Sequence, residues 1–296
     1  MPLIGAVIAP HGYPIIPLLS DDAEGGLRTR EAMVELGAFV EALSPDVIVL
    51  AGPHGIRVDG AICIANVARA AGTLEWHGRT MEMNVPCARD VALELADFCS
   101  RTEIPIALAS YAGNRPDQSV APMDWGAMTP LWFLGHGRHL PGMGNVLAPA
   151  PPEDTGPPVV LVTPSRLLPR QTMVAFGQKV AETAEASDRR VLFVASCDWG
   201  HTHSADGPYG FHEAAALVDA KVTAAVESND MGSLIDLTPE EVEDAAIDGL
   251  WQTLMLAGVQ RRVPLGSRLL SYEAPSYYGM IVAAFERAQD HVVPQG

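Results

Sequence analysis

Short apolar runs alternate with longer amphipathic stretches along this chain. Residues 3–9, 46–51 (DVIVLA), 159–163 (VVLVT) and 190–196 (RVLFVAS) are almost continuously apolar over the length of a strand. Runs without polar alternation predict strands covered on both faces. Residues 61–67 and 105–110 read as further strands. Residues 74–83 alternate polar with apolar, as an edge or antiparallel strand does. Between these runs, apolar positions recur at helical spacing over 28–43, 88–101, 125–135, 170–186, 211–227 and 240–257. The stretch 277–285 (YYGMIVAAF) fits a strand or a buried helix equally well. Segment 140–158 is rich in Pro and Gly and reads as a long loop within one domain, because the strand pattern resumes directly after it. The sum predicts an α/β fold: a single central, mostly parallel (mixed) sheet with helices on both faces, residues 1–296 forming one domain.

Composition narrows the function classes. Apolar residues make up 48% and charged residues 19%, the balance of a globular chain. Nineteen basic against 36 acidic residues give −17, which opposes nucleic acid and anionic membrane as partners. The four cysteines form no C-x-x-C pair and read as reduced thiols of a cytoplasmic protein. The N-terminal apolar run is too short for a signal peptide or a membrane span.

In open α/β sheets, ligands bind beyond the carboxyl ends of the strands. Four of the nine histidines stand just past three apolar runs. They are His11 in APHG, His54 in AGPHG, and His201 and His203 in CDWGHTH. Pro ends a strand and Gly turns the chain sharply, so each P-H-G presents an imidazole at a sheet rim. Imidazoles in such a cluster suit a transition metal. Two His plus one carboxylate point to Fe(II) with open positions, and three His plus water to zinc. Spacing does not choose the carboxylate among Asp124, Asp198, Glu243, Asp244 and Asp248. Arg166 is a candidate for an acidic substrate group or for a surface salt bridge. No dinucleotide-binding glycine motif, phosphate-binding loop or serine elbow follows a strand.

Six stretches carry a resemblance: APHG at 9–12, PDVIVLAGPHG at 45–55, MDWGAMTPLWFL at 123–134, ASCDWGHTHSADGPYGF at 195–211, EDAAIDGLWQTLMLAGV at 243–259 and EAPSYYGMIVAAF at 273–285. In this order they resemble the class III extradiol ring-cleavage dioxygenases, the LigB-like superfamily. The resemblance implies Fe(II) on His11, His54 and Asp248, and His201 as the catalytic base. His203 is a second catalytic candidate, and Trp125, Asp198 and Tyr209 are candidate pocket residues. It also implies a small aromatic substrate with O2, and a homodimer or larger assembly with room for a second subunit. Two positions depart from the family. Asp248 stands where the family has glutamate, with Glu243 and Asp244 as fallbacks. Trp125 stands where a D-H-G histidine is usual, and an indole accepts no proton. The competing readings are a zinc-dependent hydrolase on the same scaffold and a non-catalytic partner subunit.

Overall fold

The computed structural model describes residues 3–21, 25–151 and 156–287. The apolar runs form the middle of an eight-stranded sheet. Its strands in chain order are β1 (Leu3–Ala9), β2 (Val47–Ala51), β3 (Ile62–Ala65), β6 (Ile106–Ala109), β8 (Val159–Thr163), β9 (Val191–Ser196), β10 (Leu265–Glu273) and β11 (Met280–Arg287). Their spatial order is β10-β11-β1-β9-β2-β8-β3-β6. The contiguous set β1-β9-β2-β8 is parallel, while β11, β10 and the β3–β8 pairing are antiparallel. This is the mixed, largely parallel sheet that the pattern predicts.

Both faces are covered, which explains the absence of polar alternation in the central strands. Along β9, Val191, Phe193 and Ala195 pack into one core with α2 (Arg89–Ser100), α4 (Arg170–Ala186), α5 (Ala214–Glu227) and α7 (Leu250–Arg262). Leu192 and Val194 pack into the other with α1 (Leu27–Leu43) and α3 (Trp125–Leu131). No described helix is long and apolar enough to cross a membrane.

The structure corrects the element boundaries in several places. Residues 74–83 are not one strand but parts of a hairpin, β4 (Arg69–Trp76) and β5 (Arg79–Pro86). His77 (φ 47°) and Gly78 (φ 76°) make its two-residue turn, the positive-φ pair that a tight hairpin needs. With β7 (Val120–Pro122) this hairpin forms a second, three-stranded sheet that the pattern did not reveal. Segment 140–158 contains no helix or strand among its described residues. It lies on that small sheet, held by the Arg69 guanidinium on the carbonyls of Ala148 and Pro149 at 3.0 Å each. The last apolar run resolves as strand β11, and β10 before it was not anticipated.

Candidate metal centre

β1, β9 and β2 are parallel neighbours, so their carboxyl ends share one edge of the sheet. His11 follows β1, His54 follows β2, and the segment 197–203 leaves β9 between them. That segment is stapled along its length. The Cys197 N–H donates to Ala9 O (3.0 Å), Trp199 N–H to Gly279 O (2.9 Å) and His201 N–H to Ala245 O (2.7 Å).

Asp248 reaches the same edge by a route the sequence hid. Residues 240–257 are not one helix. α6 (Pro239–Asp244) stops, Ala246 takes φ 48°, and the chain restarts as α7 at Leu250. The break is buried, so its apolar residues Ala245 and Ile247 continue the helical pattern through it. Asp248 sits in the break, immediately before Gly249. A Cβ at Gly249 would lie 2.7 Å from Cys197 Cβ and 2.8 Å from Asp198 O. Only glycine lets this turn close against the β9 loop.

One ligand atom each from His11, His54 and Asp248 lies within 4.8 Å of the others. Asp248 Oδ2 is 3.4 Å from His11 Nε2 and 3.9 Å from both His54 Nε2 and His201 Nε2. The hydrogen bonds behind the rings fix their tautomers. Ser196 Oγ donates to Gly126 O, so at 3.1 Å it accepts the Nδ1–H of His11. Asp124 Oδ2 faces His54 Nδ1 at 3.3 Å, and a carboxylate oxygen only accepts. With Nδ1 committed to these partners, Nε2 is the nitrogen of each imidazole that faces Asp248 and would ligate a metal once its proton leaves, the carboxylate–histidine arrangement that orients metal ligands. Asp248 Oδ1 is buried and has no hydrogen-bond partner among the described residues. A buried carboxylate with an uncompensated oxygen beside two imidazole nitrogens fits a divalent cation, and leaving such an oxygen unpaired is costly.

The electrostatics agree. For Asp248, burial opposes the charge, but the facing His11, His54 and His201 rings outweigh it and hold the carboxyl well below its usual range. Burial alone would lower both histidines. The carboxylates of Asp198 and Asp248 leave His11 raised instead, and Asp124 with Asp248 lifts His54 to about 9. Asp198 is fully buried beside His11 and is raised, by burial first; its Oδ1 accepts the His11 N–H at 3.0 Å.

The remaining predicted residues divide into two groups. His201 faces the centre: its Nδ1 donates to Trp199 O at 2.6 Å, leaving Nε2 free as an acceptor. Trp125 opens α3 and is 40% exposed, its ring edge-on to His54 with centroids 4.7 Å apart. Trp125, Asp198 and Tyr209 all line a cleft of about 530 Å³ over the centre. His203 does not line it. Its Nε2 meets Asp219 Oδ2 at 2.8 Å, and the same buried carboxylate accepts from Tyr272 OH (3.0 Å) and Gly200 N–H (2.8 Å). The fallback acids stand apart from the three ligands. Asp244 ends α6 and faces His212 at 3.9 Å, while Glu243 lines a second cleft of about 470 Å³. Tyr277 and Tyr278 also line the first cleft; Tyr278 stacks on His201 at 5.8 Å. The supporting roles of Ser196 and Asp124 carry no sequence signal, because each depends on which strand end lies beside it.

Comparison with known proteins is specific at the level of family. The family model described as the catalytic LigB subunit of aromatic ring-opening dioxygenase matches residues 5–283. The protein CA_C1420 of Clostridium acetobutylicum is 20% identical over 288 residues, covering 97% of this chain and 58% of that protein. A 2,3-dihydroxyphenylpropionate/2,3-dihydroxicinnamic acid 1,2-dioxygenase of Rhodococcus rhodochrous is 27% identical over 202 residues, 66% of this chain and 56% of that protein. The chain thus spans somewhat over half the length of these curated relatives. The crystal structure of the uncharacterized protein JW3007 from Escherichia coli K12 shares the fold, with a TM-score of 0.59 at 14% identity over 95% of this chain and 99% of that one.

Proposed function

The chain belongs to the LigB family, the catalytic subunit of aromatic ring-opening dioxygenases, and from that premise we propose that it is an Fe(II)-dependent extradiol dioxygenase. Its substrate is a small ring bearing two adjacent oxygens, or an oxygen beside an amine, and O2 is the second substrate. The observation that carries this reading is the triad: one ligand atom each from His11, His54 and Asp248 within 4.8 Å of one another, with Asp248 Oδ1 buried and without a hydrogen-bond partner among the described residues. Two His and one carboxylate leave positions open for substrate and O2. His11, His54 and Asp248 would hold the ion, which when bound gathers the ring oxygens and gives ring electrons a path to O2.

The protein's own groups do the rest. The His201 Nε2 takes the proton of the substrate hydroxyl as the ring binds. Its Nδ1–H on the Trp199 carbonyl keeps that acceptor aimed inward. The imidazolium so formed returns the proton when the ring opens. Tyr13, Trp125, Tyr277 and Tyr278 line the cleft in which the ring would sit. His203 acts at one remove: with Asp219 it fixes the loop that carries His201. Both atoms of O2 end in the opened product, so no external reductant is needed.

The test is oxygen uptake by anaerobically purified, Fe(II)-loaded protein over a panel of catechols, aminophenols and dihydroxypyridines, with metal analysis alongside. Uptake with a new ring-opened chromophore supports the proposal. Stoichiometric zinc with no uptake would overturn it in favour of a hydrolase on the same scaffold.

A further inference from the structure

Two arginines converge on the second cleft, and neither has an ion-pair partner among the described residues. Arg57 lies on the turn after His54, and Arg166 lies just past β8. Both line the cleft that also touches His54, His201 and Asp248, so it opens onto the metal centre itself. Neither forms a hydrogen bond or ion pair among the described residues. Several other described arginines are taken up by acids: Arg79 by Asp21, Arg189 by Asp90, Arg262 by Glu185 and Arg268 by Glu35. In a chain with 36 acidic and 19 basic residues, two unpaired guanidiniums at one cleft run against the available charge. Of the two acids in the cleft wall, Glu243 pairs with neither arginine, and Asp248 is turned to the histidines.

Arg166 is also held in place. Its guanidinium stacks over the Trp251 ring at 4.6 Å, and Trp251 is only 7% exposed, so the platform is part of the core. A stacked guanidinium keeps its N–H edge free and its plane fixed, the pre-organisation that suits a carboxylate fork. Resting on the ring-opening reading above, we infer that Arg57 and Arg166 form an anion subsite, and that the physiological ring carries a carboxylate, directly or on a short side chain. The ring chelates at the triad and its carboxylate extends into the second cleft. Arginine pairs with a carboxylate through two parallel hydrogen bonds, so the subsite would set which way round the ring binds.

The experiment is anaerobic calorimetry on the full chain loaded with Fe(II), where binding is read without turnover. The probes are 3,4-dihydroxybenzoate and 3,4-dihydroxyphenylacetate, each against its neutral amide, and inorganic phosphate alone. At least one acid should bind more tightly than its amide by on the order of tenfold to a hundredfold, the range for a charge-assisted pair. Arg57→Gln and Arg166→Met should each bring that ratio toward one with metal content retained. Arg166→Lys, which keeps charge but loses the fork, should recover only part of it. Metal content and melting temperature identify any variant that fails to fold, and Arg57→Gln, at an exposed position, then carries the test. A ratio near one in the wild type, or a ratio unmoved by both substitutions, overturns the inference. Phosphate binding at the arginines more tightly than either acid overturns the carboxylate assignment. Acid preference without oxygen uptake would instead sink the dioxygenase reading and leave the subsite standing.

Discussion

Asp124 is the most informative residue to change, because it does two separable jobs. Oδ1 accepts the Gly126 N–H at 2.9 Å and caps α3, while Oδ2 faces His54 Nδ1 at 3.3 Å. An unscreened pair at that distance is worth about 5 kcal/mol at an effective dielectric constant of about 20. The side chains of His54 and Asp124 are 25% and 31% exposed, so solvent screens much of this. The expected loss on removing the carboxylate is a 10–100-fold weaker metal site, about 1.4–2.7 kcal/mol, typical of a partner that orients a ligating histidine. Asp124→Ser keeps a capping oxygen but neither the charge nor the reach. Asp124→Ala removes the cap as well, at a further cost of about 1 kcal/mol in stability. Chelator competition would measure metal affinity, and thermal denaturation of the metal-free protein would measure the cap. Both variants should bind metal equally weakly, with only the alanine melting clearly lower. Metal affinity within twofold of wild type in both variants would refute the ligand role of His54.

Other perturbations probe the rest of the centre. His201→Phe should retain the metal yet lower kcat by about 10²–10⁴, the usual worth of a positioned base; loss of metal would make His201 a ligand instead. Because His11 and His54 are raised in the metal-free protein, His54 to about 9, metal must displace protons, so apparent affinity should rise with pH and level off near 9. The same sign governs stability. The raised pKa values stabilise the metal-free fold fully below about 6.5 and lose that effect as pH climbs through about 9, so metal-free protein should melt lower at pH 9 than at pH 6. Gly249→Ala should cost about 1–3 kcal/mol and weaken metal retention, since its Cβ meets backbone and core atoms of the β9 loop; a variant that melts and binds metal like wild type would contradict the close approach.

The central strands were legible because being buried on both faces removes polar alternation, and the strand-end histidines were legible because P-H-G recurs after two such strands. What sequence concealed was the break at 245–249. The helical reading carried Asp248 onto a helix face with Asp244 one turn before it. The positive φ of Ala246 separates them, leaving Asp244 with His212 and Asp248 with the histidines. The hairpin at His77–Gly78 was missed because the apolar–polar alternation runs on through its turn. Pairings such as His203 with Asp219, or Ser196 behind His11, join residues brought together only by strand order and loop stapling.

The most direct test of the account is ring opening under ¹⁸O2 by the Fe(II)-loaded protein, with the product analysed by mass spectrometry. The account requires both oxygen atoms from one O2 in the opened product, and no such product from His11→Ala, His54→Ala or Asp248→Ala. Bound iron with unlabelled or unopened rings across the panel, or labelled product from Asp248→Ala at the wild-type rate, would contradict it.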